Sequence, residues 1–141
     1  MFDIYLSHLK VNLSLMIKWL LTDLHIHTTC SDGHVPIDEV IKMYGEAGFD
    51  AIAITDHLFD TQSSRSLEIY EEEKSIQDVE SYFKRIDEVS RWARKTYDLL
   101  VIPGLEICNL LEDYHILGID VKDAINPNQN AGGVIHEIHQ Q

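Results

Sequence analysis

From Trp19 to His27 apolar and polar positions alternate, with Leu20, Thr22, Leu24 and Ile26 on one side and Leu21, Asp23, His25 and His27 on the other. Successive strand residues point to opposite faces, so this pattern predicts a β-strand with a histidine-bearing face. The turn Ser31-Asp32-Gly33-His34 follows, with Pro36 expected at the first helical position. The stretch "IDEVIKMYGEAG" then has helical spacing, with Val40, Ile41, Tyr44 and Ala47 as its apolar stripe and Gly48 as its stop. "FDAIAIT" is apolar on both faces, as in a strand buried within a parallel sheet, and it ends in Asp56 and His57.

Residues 58–74 form a polar, acidic connection that is long for a strand-to-helix loop, either a lid or a solvated insertion. Ser75 and Asp78 resemble a helix-start box. Beyond it Val79, Tyr82, Phe83, Ile86, Val89, Trp92 and Ala93 recur at helical spacing. "LLVIPGLEI" predicts a third buried strand ending at Glu106, and "YHILGI" a fourth beginning near His115. "GGVIHEIHQQ" reads as the start of a helix. Strands alternating with helices imply right-handed βαβ units, hence an α/β fold with a parallel sheet or barrel.

Composition narrows the function classes. With 45% hydrophobic and 25% charged residues the chain has a globular balance. A formal charge of −13 argues against a grip on long nucleic acid or an anionic membrane, because each phosphate contact needs local Lys or Arg. Cys30 and Cys108 are too few for a disulfide scaffold and fit a reducing cytoplasm. The N-terminal stretch is apolar but broken by Asp3, His8, Lys10 and Lys18, so neither a membrane span nor a signal peptide is expected. Met16 offers an alternative start, which makes residues 1–15 an extension outside a fold spanning 16–141.

The predicted strand ends carry the candidate chemistry. In parallel α/β folds active sites form at the carboxyl ends of strands. The first strand supplies His25 and His27 with Asp32 in the next turn, the second Asp56 and His57, the third Glu106, and the fourth His115. Histidines at i and i+2 of a strand point the same way and can share one metal ion at ~2.0–2.1 Å. Taken singly, each residue has a plainer reading: a hydrogen-bonded core histidine, a helix cap at Asp56-His57, a solvated strand end at Glu106. Together they fall at corresponding ends of consecutive strands. A His, Asp and Glu set suits Zn²⁺, Mn²⁺ or Fe ions, and several carboxylates favour more than one.

The segments "DLHIHTTCSDG", "AITDH", "PGLEI" and "YHILGI", in this order, resemble the PHP family, named for polymerase and histidinol phosphatase. The resemblance runs from about Leu20 to the C-terminus. It implies a distorted β/α barrel, two or three divalent metal ions, and hydrolysis of a phosphoester by a metal-activated water. By the same resemblance His25 and His27 hold one ion, with Glu106 bridging to another. Asp32 and His57 serve a second ion and His115 a third, while Asp23 and Asp56 orient imidazoles. Arg65 is the candidate contact for a substrate phosphate, and the substrate is expected to be a small phosphoester. His34 has no ligand counterpart.

The sequence departs from the family pattern at its end, where the later HP and D-x-H motifs are not found. It resembles the N-terminal part of a PHP domain, truncated before those motifs. His136 and His139 are spaced by three rather than the four of a zinc-binding helix, so exposed positions are expected for them. Cys30 stands where the family pattern leads us to expect an aromatic residue. Both cysteines read as small buried apolar groups, though a thiol close to metals can also bind zinc or oxidise. Two outcomes follow: a phosphoesterase, or a catalytically inactive metal-binding or interaction module that self-associates or needs a complementary chain.

Overall fold

The computed structural model describes residues 19–141, so the expected extension and the alternative start at Met16 lie outside the described residues. The elements run β1 (Thr22–Ile26), α1 (Ile37–Glu46), β2 (Ala51–Ile54), β3 (His57–Phe59), α2 (Ser64–Glu71), α3 (Val79–Tyr97), β4 (Leu100–Asn109), β5 (Tyr114–Ile119) and α4 (Ala131–His139). β1, β2, β3 and β4 pair in parallel, with α1 between β1 and β2 and α2 and α3 between β3 and β4, and make the α/β architecture expected from the alternation. β2 is buried throughout, as its two apolar faces require.

β2 and β3 form one line of chain along β4. Ala51 lies opposite Leu100 and His57 opposite Glu106, so the same offset in residue number runs through both pairings. The line is interrupted only at Thr55 and Asp56. There Tyr82 of α3 supplies what the ladder lacks: the Asp56 N–H donates to its hydroxyl at 3.2 Å, and the hydroxyl faces the Gly104 and Ile54 carbonyls at 3.1 and 3.3 Å. Tyr82, Ile86, Val89 and Ala93 are the buried stripe of α3. The helix is capped by Asp78, whose carboxylate accepts from the Ser81 N–H.

Several local expectations are corrected. β5 is antiparallel to β4, joined by a tight hairpin with no helix between them. Asn109 builds that turn by accepting from the Leu111 and Glu112 N–H groups. β4 does not stop at Glu106 but continues to Asn109. The 58–74 connection holds β3 and the helix α2, capped by Ser63. Ser75 takes no part in a helix-start box, because its hydroxyl accepts from the Phe59 N–H at 3.1 Å. Pro36 is the N-cap, and α1 begins one residue later. Leu20 and Leu24 are exposed although the alternation placed them on a common face, since β1 is paired with β2 alone among the described residues and its outer side meets solvent.

Candidate metal centre

Strand register places the cluster. His57 on β3 lies directly opposite Glu106 on β4, and Cys108, two residues further on the same face, lies opposite His115 on β5. At the other side of Glu106, His25 near the end of β1 and His27 just beyond it turn their rings inward. Glu106 is thus the centre: 7% exposed, with side chains from four strands or their ends around it.

The distances define two positions. His25 Nε2, His27 Nε2 and Glu106 Oε2 form a triangle with edges of 2.9 Å, 2.9 Å and 3.1 Å. A cation bonded at ~2.0–2.1 Å to three donors holds them about 2.8–3.4 Å apart, for bond angles from a right angle to tetrahedral. The same oxygen also faces His57 Nδ1 at 3.2 Å. Three imidazole nitrogens thus face one carboxylate oxygen, a density of donor atoms that a cation shared with His25 and His27 would satisfy. The second position lies on the far side of the carboxylate, where Glu106 Oε1 meets His115 Nδ1 at 2.8 Å and Cys108 Sγ sits 3.2 Å from His57 Nδ1. Asp32 joins the two, with Oδ1 at 2.8 Å from His27 Nδ1 and Oδ2 at 3.6 Å from His57 Nε2.

The sequence-derived set of His25, His27, Asp32, His57, Glu106 and His115 therefore converges, in three groups whose ligand atoms lie within 4.8 Å of one another. Cys108 is buried, in line with its reading as a small apolar group, and its sulfur also lies among these ligand atoms. The signal for it was the two-residue spacing from Glu106 in one strand, the same spacing that flagged His25 and His27. Asp23 and Asp56 do not orient imidazoles. Asp23 accepts from the His25 backbone N–H and from the Tyr44 hydroxyl. Asp56, fully buried, accepts from the Thr28 N–H, the Thr28 hydroxyl and the Ser31 hydroxyl, and so pins the loop that presents His27 and Asp32. His34, His136 and His139 are exposed.

The titration shifts favour the ligand forms of Glu106, Asp32 and His57 and the neutral thiol of Cys108. Burial works to raise the Glu106 carboxyl, but hydrogen bonds from His25 and His115 and the charges of His57 and His25 outweigh it and hold it below the usual range. Asp32 is lowered in the same way: burial opposes, and the hydrogen bond from His27 and the charges of His57 and His27 prevail. Burial, helped by His27 and His115, holds His57 below its ordinary value against the pull of Glu106 and Asp32. Burial first, then the negative charges of Glu106, Asp32 and Asp60, push the Cys108 thiol up.

Arg65 lies on α2, pairs with Glu68 at 2.9 Å and is well exposed. It lines a small cavity of about 190 Å³ together with Asp32, His57 and Lys74. Lys74 is a second cation there that the sequence reading did not single out, and it pairs with Glu72. A larger cavity of about 470 Å³ between α3 and β4 shares no residue with the cluster, so convergence of donors rather than cavity size locates the site.

The PHP domain model matches residues 23–140, nearly all of the described chain. The chain belongs to the PHP family. Among solved structures it is similar to a two-domain protein from Bacteroides vulgatus ATCC 8482, described as containing a predicted PHP-like metal-dependent phosphoesterase. That similarity has a TM-score of 0.62 at 23% identity and covers 86% of this chain and 32% of that one, so the PHP chain described here spans about a third of its neighbour's length. No curated protein matches. No helix among the described residues is long and apolar enough to cross a membrane.

Proposed function

We propose that this PHP domain chain supplies the metal-binding core of a metal-dependent phosphoesterase that hydrolyses a small phosphoester. The observation that carries the reading is Glu106, whose Oε2 faces His25, His27 and His57 and whose Oε1 faces His115. The donor set fits Zn²⁺, Mn²⁺ or Fe ions, two or three in number, held by His25, His27, Asp32, His57, Glu106 and His115. Bound there, such ions supply Lewis-acid charge and lower the pKa of a bound water from ~15.7 to near 7.

The residues of the chain do the positioning. Glu106 and Asp32, both held low, offer charged oxygens, and His57, held low, offers a nitrogen lone pair at neutral pH. Asp56 fixes the loop carrying His27 and Asp32 through hydrogen bonds from Thr28 and Ser31. Arg65 and Lys74 line the cavity beside Asp32 and His57, where a phosphoryl group can exchange their present carboxylate partners for its own oxygens. Both cysteines are free, in keeping with a cytoplasmic protein.

The test is turnover of a chromogenic phosphoester by chain loaded with Mn²⁺ or Zn²⁺, with the metal content measured in parallel. Activity that needs metal and is lost in His25→Ala supports the reading. Chain that retains no metal after loading defeats it. The exposure of the His25 and His115 side chains, 51% and 48%, favours a second reading in which this chain binds metal but needs further protein to enclose the substrate. Full metal occupancy without turnover selects that reading.

A further inference from the structure

We infer that Cys108 is a metal ligand, and that the position it shares with His57, Glu106 and His115 is selective for Zn²⁺. The inference rests on the metal-centre reading above and extends it to a residue and a metal preference. Its starting point is geometry: the four side chains offer two imidazole nitrogens, one carboxylate oxygen and one sulfur, all within 4.8 Å of one another.

The sulfur lies 3.2 Å from His57 Nδ1 and 3.3 Å from His115 Nδ1. His115 Nδ1 lies 2.8 Å from Glu106 Oε1. In a tetrahedral zinc site with Zn–S of ~2.3 Å and Zn–N of ~2.0–2.1 Å, sulfur and nitrogen are about 3.5 Å apart. The observed separations reach that value after shifts of a few tenths of an ångström. Four donors also match the coordination number that zinc prefers. His57 uses Nδ1 here and keeps Nε2 turned toward Asp32.

Packing alone does not account for this thiol. Cys108 is fully buried, yet both imidazoles and the Glu106 carbonyl lie within 3.5 Å of its sulfur. A thiol is a weak donor and a weak acceptor, so three polar atoms around one buried sulfur are more than its packing role calls for. When the sulfur–metal bond forms, the thiol proton leaves to solvent and the sulfur binds as thiolate. A soft thiolate donor favours Zn²⁺ or Co²⁺ over Mn²⁺ and Mg²⁺, which prefer oxygen. The His25, His27 and Glu106 position contains no sulfur, so the two positions differ in the metal they select.

Cobalt substitution tests this directly, because a thiolate bound to Co²⁺ gives a near-ultraviolet charge-transfer band that nitrogen and oxygen ligands do not. The full chain is loaded with Co²⁺ as wild type, Cys108→Ser and Cys30→Ser. The expected result is a band in the wild type, its loss in Cys108→Ser, and its retention in Cys30→Ser. Zn²⁺ affinity of that position in Cys108→Ser should fall by at least the roughly 10–100-fold that losing an outer hydrogen-bond partner costs, with Mn²⁺ affinity little changed. If Cys108→Ser does not fold, the wild-type band kept in Cys30→Ser still assigns it, since the chain has two cysteines. Wild type that binds Co²⁺ and shows d–d bands but no charge-transfer band overturns the inference and leaves the metal-centre reading standing. A band lost in Cys30→Ser and kept in Cys108→Ser also overturns it. Chain that binds no Co²⁺ overturns both.

Discussion

Single side chains in this protein hold positions that the backbone leaves open. Tyr82 is the clearest case: a helix residue whose hydroxyl serves the break between β2 and β3. Tyr82→Phe keeps the ring and strands the buried Asp56 N–H, so we expect a loss of about 1–3 kcal/mol in urea unfolding, with the helix content unchanged. Asp60 is a second case. It is buried, and although burial works to raise its carboxyl, hydrogen bonds from the Ser66 hydroxyl and the Leu110, Ser63 and Gln62 N–H groups hold it below the usual range. A depressed folded pKa stabilises the protein above the unfolded value of about 3.9 and loses that contribution as pH falls through the folded one. Asp60→Asn should therefore be less stable than wild type at pH 7, and the gap between their urea midpoints should close as the pH drops below about 4. The residue scale is also where the sequence said most about the site. His25 and His27 were legible because strand alternation alone puts them on one face. Asp23 and Asp56 were assigned to the wrong partners, because no local pattern tells whether a carboxylate will meet an imidazole or a backbone N–H.

Elements position these residues through register, and register is where sequence reading thinned. The helices α1 and α3 and the buried strand β2 follow from their apolar spacing. The reversal into β5 did not, because its turn has no glycine and depends on Asn109 and on Asp113 adopting a positive φ of 53°. α2 was hidden for a different reason: Ser66 is its buried residue, so it offers no apolar stripe to read. The turn between β1 and α1 shows how tightly an element end can be set. A Cβ on Gly33 would stand 2.6 Å from the backbone carbon and oxygen of His27. Gly33→Ala must push the turn outward and carry Asp32 away from His27 and His57. We expect metal affinity to fall on the order of 10–100-fold, as when an outer partner of a ligand is lost, with little change in circular dichroism. Unchanged affinity in calorimetric titration would show that Asp32 is not needed for binding.

At the scale of the molecule, an acidic chain gathers five of its ionisable ligands around a buried carboxylate, and cations are what that arrangement accommodates. Ions that bind only the folded state should stabilise it by about 2.7 kcal/mol at a hundredfold excess over Kd. For a domain of this size that is a rise in Tm of roughly 5–15 °C on adding Zn²⁺, reversed by chelator and absent in Glu106→Gln. Glu106 carries a further consequence. One unit of negative charge is divided between two sites, so occupancy of either reduces the attraction available to the other, and two dications at such close range repel. The sites are then energetically linked and the linkage is reciprocal. A binding isotherm should resolve into a tight step and a weaker one, with the protein singly loaded over a range of free metal concentration between them.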